Sequence, residues 1–244
     1  MCHNPSASHE STEPERHVSI PRRKALLKTP NYPFAEAAHY LHLSVTTLHA
    51  WCRGGRRFQP IIRLDGKPSD GLSFRNLIEA HVLSAIQGKN GGASVRISEA
   101  LRNVGRHLDM EECLASARFA TRGIGVFVEA LYGKSRASGR RRADVTEAIR
   151  VHLQRIDRDA RGIPMRFYPF TCERSDKQLI KSLVIDPRIA FGRPVLVGTA
   201  LPTSVVADRF RAGDTVTELA KDYVAHPAVI EEAIRYELYR RQAA

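Results

Sequence analysis

Apolar positions change their period several times along the chain, and each change predicts an element. Residues 1–30 are polar, carry the cluster Arg22, Arg23, Lys24 and show no periodicity, so a flexible arm is expected there. From Asn31 the pattern tightens. FAEAAHYL (34–41) reads as a short helix, 42–44 as a turn, and VTTLHAWC (45–52) as a second helix that Ser44 can N-cap. Alternation of Phe58, Pro60, Ile62 and Leu64 ahead of the turn pair Asp65-Gly66 predicts a hairpin that ends near Leu72. SFRNLIEAHVLSAIQ, capped by Ser73, returns to the helical period with Phe74, Leu77, Ile78 and Val82 on one stripe, and a further helix is expected from Ser94 to Leu108.

The middle is less regular. GIGVFVEAL (123–131) is rich in β-formers, KSRASGRRR (134–142) reads as a loop, VTEAIRVHLQRI as a helix and MRFYPF as a strand. Farther on, VIDPRIAFGRPVLVGTALP (184–202) is a β segment punctuated by Pro and Gly. Three short helices are expected after it, at 203–212, 215–223 and 227–241. Their ends are signed by Gly213, by the capping box of Thr215 and Glu218, and by Pro227 at a first helical position. The expected fold class is α+β, mainly helical. Its parts are the arm (1–30), a winged helix-turn-helix (31–108), a small α+β bridging region (109–182) and a hairpin plus a three-helix unit that is itself helix-turn-helix-like (183–244).

Composition narrows the function classes. The chain has 244 residues, 43% hydrophobic and 26% charged, as an ordinary globular protein does. It shows neither an apolar run long enough for a membrane helix nor an apolar start of the secretory kind, so a cytoplasmic location without membrane contact is expected. Cys2, Cys52, Cys113 and Cys172 stand far apart, which favours reduced thiols. The net charge of +12 points to a polyanionic partner. That charge is uneven: residues 1–170 carry 27 basic and 16 acidic side chains, residues 171–244 carry 11 and 10.

Enzyme signals are poor. Gly133-Lys134-Ser135 mimics the end of a phosphate-binding loop, but Val128 stands where the upstream glycine belongs. His39, His42, His49 and Cys52 lack paired metal-ligand spacing, and Glu111/Glu112 and Asp157/Asp159 are local charge pairs. No catalytic residue, metal or cofactor is assigned, and the chain reads as a non-enzyme. The strongest constellation is 34–74. There the exposed start of the second helix offers Ser44, Thr46, Thr47 and His49 to base edges or phosphates, Arg53, Arg56 and Arg57 follow, and Arg63 and Lys67 ride on the expected hairpin. On the last helix, Val229, Tyr236 and Tyr239 lie away from the core stripe Ile230, Ala233, Ile234 and Leu238; with Arg240 and Arg241 they form the expected partner surface.

Residues 31–87, through EAAHYLHLSVTTLHAW and RGGRR, resemble the winged helix-turn-helix of the MerR superfamily, without the long dimerising coiled coil of its effector-sensing members. Ile185, Asp186, Pro187, Gly192, Arg193, Pro194, Gly198 and Thr199, followed by Glu218, Leu219, Ala220 and Tyr223, resemble a small bacterial domain of unknown function often encoded beside PIN-like ribonucleases. With SFRNLIEAHVL and ARFATRGIGVFVEAL the likeness extends over about 200 residues to VapB-type antitoxins of the large variety. That resemblance implies an antitoxin of a type II toxin-antitoxin pair, which binds and inhibits a PIN-like ribonuclease toxin and represses the shared promoter; because a helix-turn-helix needs two heads to span a two-part operator, a homodimer on operator DNA is expected. The alternative is a stand-alone DNA-binding transcriptional regulator with no toxin partner.

Overall fold

The computed structural model describes residues 25–56, 58–90, 94–108, 114–133, 139–169 and 181–238. The chain is mainly helical with three small two-stranded antiparallel sheets. Strand β1 (Pro30–Tyr32) pairs with β2 (Leu72–Ser73), and between them lie helices α1 (Phe34–Tyr40) and α2 (Val45–Arg53). Helix α3 (Phe74–Asn90) follows β2 directly. Phe74, Leu77, Ile78, Ala80, Val82, Leu83 and Ile86 are all buried, so α3 is enclosed on several sides and forms the axis of the larger core. Its start is capped by Ser73, whose Oγ accepts the Asn76 N–H at 3.1 Å.

The hairpin expected from Phe58 to Leu72 is absent among the described residues. The strand that pairs with Leu72–Ser73 comes instead from Pro30–Tyr32, at the far side of two helices. The loop's polar groups are satisfied from α3. Asn76 Nδ2 donates to Arg63 O at 2.9 Å, Asn76 Oδ1 accepts the Asp65 N–H at 3.2 Å, and the Asp65 carboxylate takes Arg75 and Ser73. A loop whose backbone is bonded by side chains has no need of a cross-strand ladder.

A second correction concerns 123–131. This stretch is helical: a π-helical turn at Phe119–Gly123 runs into α5 (Ile124–Tyr132). Ile124, Phe127, Val128 and Leu131 are its buried residues, and their spacing is the helical one. Packing of that stripe against α4 (Ser94–Leu108) overrides the β-propensity of Ile, Val and Phe. The expected loop 134–142 falls partly outside the described residues, and its end, 139–142, is the first turn of α6 (Gly139–Leu153). Helix α6 packs on α3, and β3 (Ile156–Arg158) pairs with β4 (Pro164–Phe167).

The last part has a core of its own. Strands β5 (Leu183–Val184) and β6 (Val195–Leu196) pair, and α7 (Thr203–Arg211), α8 (Val216–Asp222) and α9 (Pro227–Leu238) close over Leu183, Leu196, Val206, Leu219, Ile230, Ala233 and Tyr236. The Thr215–Glu218 capping box forms as read from the sequence, with the Thr215 N–H donating to Glu218 Oε2 at 2.8 Å. Asp186, fully buried, organises the turn after β5. It takes Arg188 Nε and Nη2 at 2.9 and 2.6 Å, the Arg188 N–H at 2.9 Å and Arg166 Nε at 3.3 Å. Burial works against its charge, yet these donors hold its carboxyl below the ordinary range. Backbone bonds between Phe167 and Ile185, at 3.0 and 2.8 Å, tie this part to the larger core.

Candidate nucleic-acid interface

The α1–α2 corner is set by its own sequence. Ala37 and Ala38 are wholly buried and let α2 approach closely, while Leu48 and Trp51 fill the angle from the other side. After Tyr40 the chain turns on Leu41 and on His42, which takes a left-handed φ of 52°. The Leu43 N–H then donates to Ala38 O at 2.8 Å, closing the end of α1. Ser44 caps α2 by accepting the Thr47 N–H at 3.1 Å, and its hydroxyl also lies 3.0 Å from Thr46 Oγ1 and 2.7 Å from Thr47 Oγ1. Ser44→Ala is expected to cost about 1 kcal/mol of stability, read from the urea midpoint; an unchanged midpoint would remove the cap from the account.

Of the residues singled out in the sequence, Ser44, Thr46, Arg53, Arg56, Arg63 and Lys67 are exposed and Thr47 is half-buried. Arg57 lies outside the described residues. His49 is half-buried rather than free to reach outward: its ring stacks on Phe34 at 4.0 Å between centroids and 19° between planes. Among the described residues Arg53, Arg56, Arg63 and Lys67 have no ion pair, and from 37 to 64 the chain contains no Asp or Glu. The nearest carboxylate on the loop, Asp65, is committed to Arg75, with Nε–Oδ2 at 3.1 Å and Nη2–Oδ1 at 2.5 Å. This leaves the end of α2 and the loop after it with uncompensated positive charge, a surface complementary to a phosphate backbone.

The turn between α1 and α2 recurs in the last part of the chain. Tyr223 (φ −94°, ψ 3°) and Val224 (φ 51°) repeat the conformations of Leu41 (φ −98°, ψ 0°) and His42, and the Ala225 N–H donates to Ala220 O at 2.9 Å as Leu43 does to Ala38. Ile230 and Ala233 occupy the buried positions of Leu48 and Trp51. The surface chemistry is reversed: residues 216–238 carry five acidic and two basic side chains, and Val224 is 94% exposed. A phosphate backbone is repelled by the first property, and the second suits a protein surface.

The two corners touch. His39 Nε2 lies 2.8 Å from Glu237 Oε2, the Tyr236 hydroxyl donates to Tyr40 O at 2.9 Å, and the Tyr236 ring lies 5.1 Å from that of His42. Asn31 Nδ2 donates to Phe191 O at 2.5 Å, and Gly192 (φ 75°) packs so closely on Tyr32 that any Cβ would collide with its hydroxyl. Tyr236 is therefore wholly buried between α9 and α1, instead of standing on an outer face, and Val229 is half-buried against the smaller core. Tyr239, Arg240 and Arg241 lie outside the described residues. No short-range periodicity carries this contact, because its partners stand almost two hundred positions apart.

Among the described residues no group of three or more His, Cys, Asp and Glu is disposed to hold a metal ion, and no helix is long and apolar enough to cross a membrane. Cys52 is buried and free, with burial pushing its thiol up to about 12.

Three comparisons bear on the chain. Residues 183–236 match the family model described as a protein of unknown function, DUF433. The chain is 28% identical over 231 residues to a protein of Mycobacterium tuberculosis (strain ATCC 25618 / H37Rv) named "Putative antitoxin VapB45", covering 84% of this chain and 92% of that protein. It is also similar to the crystal structure of Rv2018 from Mycobacterium tuberculosis, with a TM-score of 0.65, 27% identity, and coverage of 84% of this chain and 97% of the other.

Proposed function

We propose that this chain is a non-enzymatic, DNA-binding antitoxin: α1, its turn and α2 act as a helix-turn-helix on operator DNA, and the last part of the chain takes a PIN-like ribonuclease toxin. The observation that carries the DNA half is the capped, exposed start of α2 in a stretch that also holds the exposed Arg53, Arg56 and Arg63 and no carboxylate between Glu36 and Asp65, with Lys67 just beyond it. The toxin half is supported by the relative that bears an antitoxin name and spans most of both chains. The acidic second corner, with Val224 exposed, supports placing a protein rather than DNA there. Since one such head covers one half-site, two copies of the chain are expected on an operator whose half-sites are about 34 Å apart or a multiple of that.

The test uses the full chain and the DNA upstream of its own gene. The quadruple alanine variant of Arg53, Arg56, Arg63 and Lys67 is expected to lose about a thousandfold or more in affinity at moderate salt and to flatten the salt slope by three to four units. It should retain the neighbouring nuclease on co-expression. Unchanged DNA affinity would overturn the DNA assignment. DNA binding without any nuclease partner would favour the stand-alone regulator.

A further inference from the structure

Beside the loop that follows α2 lies a helix with charges of its own. Helix α4 is strongly two-sided. Ile97, Ala100, Leu101 and Val104 are buried, while Arg96, Glu99, Arg102, Asn103, Arg106 and His107 face outward. Between its first turns and the loop that leaves α2 lies a cleft of about 320 Å³, lined on one side by Gly55, Arg56 and Gln59 and on the other by Ser98, Glu99 and Arg102. Ser98 and Gln59 meet across it, with the Ser98 hydroxyl 3.5 Å from Gln59 O. Neither Arg56 nor Arg102 has an ion pair among the described residues, so two exposed guanidinium groups border one polar hollow with their donors unspent.

Guanidinium groups present paired N–H donors that match phosphate oxygens, and a cleft walled by two of them suits an anion that recurs along a strand. The occupant is argued from what lies next to it: Arg56 follows the C-terminal end of α2 by three residues, so a backbone that crosses that end of the helix meets this loop. We propose that the cleft between α4 and Gly55, Arg56 and Gln59 grips a backbone phosphate of bound DNA, with Arg102 as its second arm and Arg106, one turn on, continuing the track. Glu99 is the counterweight. It stands three residues before Arg102 on the same wall and repels a phosphate, so it limits affinity where Arg102 raises it. This inference rests on the DNA-binding reading and adds α4 to it.

The two opposite charges on one wall give a test with two signs. Binding of the full-length protein is measured by fluorescence anisotropy, on its upstream duplex and on a scrambled duplex, from 0.1 to 0.3 M salt. Arg102→Ala is expected to weaken both complexes about fivefold to tenfold at 0.1 M salt and to lower the salt slope by about 0.9. Glu99→Gln is expected to tighten both about twofold to fivefold. Both residues are exposed on a helix, and unaltered thermal unfolding would show that the variants fold. If Arg56→Ala weakens binding while Arg102→Ala and Glu99→Gln leave it unchanged, the cleft is not a phosphate grip and the α2 assignment stands. If the unmodified protein binds neither duplex, the DNA reading falls and this inference with it.

Discussion

Arg75→Leu is expected to destabilise the protein by about 3–5 kcal/mol, the range for removing one partner from a buried ion pair. The Arg75 side chain is only 10% exposed, and Asp65 and Glu79, which it joins, are 8% each. It holds Asp65 through two nitrogens and reaches Glu79 Oε1 at 3.5 Å and Arg63 O at 3.4 Å. Without the guanidinium, two carboxylates are left at low dielectric beside one another, and the loop 59–71 loses its main anchor to α3. That loop carries Arg63 and Lys67, so DNA affinity is expected to fall together with stability even though neither residue is altered. Urea unfolding decides the matter: a loss below about 1 kcal/mol would show that the network is dispensable. Replacing Asp65 as well, in Arg75→Leu/Asp65→Leu, is expected to recover part of the loss, because the uncompensated charge goes with it.

Mild acid is expected to destabilise the protein through a pair of histidines in the core. The His81 and His152 rings lie 4.6 Å apart between centroids, His81 Nε2 is 3.2 Å from His152 O, and His152 Nδ1 is 2.9 Å from Ala148 O. Burial holds His81 well below its ordinary pKa and brings His152 down to about 4; Arg155 nearby pushes both the same way, and His152 adds to the shift of His81. The unfolded chain takes up these protons near pH 6.5, whereas the folded one does not. Stability is therefore full above about pH 7 and declines as pH falls through 6.5 toward the folded values. The pair contributes a loss of about 3–4 kcal/mol by pH 5. Asp186 and Glu237 are depressed carboxylates, so their contribution is lost only at lower pH, below the unfolded carboxylate range. Urea midpoints at pH 7.5, 6 and 5 should drop steadily, and His152→Gln should roughly halve the slope. A flat profile across that window would show that neither ring is held neutral by the fold.

The three last helices, the capping box at Thr215, the Ser44 cap and the helices at 45–53 and 94–108 were legible because each is specified within one or two turns of chain. The misread hairpin at 58–72 fails for a different reason. Alternating Phe58, Pro60, Ile62 and Leu64 fit a strand, but Pro60 donates no ladder bond, and Asn76 and Arg75, ten or more residues on, offer the loop better partners. In 123–131 the residue types favoured a strand while their spacing favoured a helix, and burial against α4 decided for the spacing.

By itself the sequence determined the Ser44 and Thr215 caps and the run free of carboxylates around the first corner, since these depend on residues adjacent in the chain. Only the tertiary structure decided which groups remain available. Tyr236 was given to Tyr40, His49 to Phe34, Asp65 to Arg75, and Arg102 was brought to the loop of Arg56. Those pairings join residues from ten to almost two hundred positions apart. Their energies arise from water excluded between packed elements, a quantity that no local pattern of side chains records.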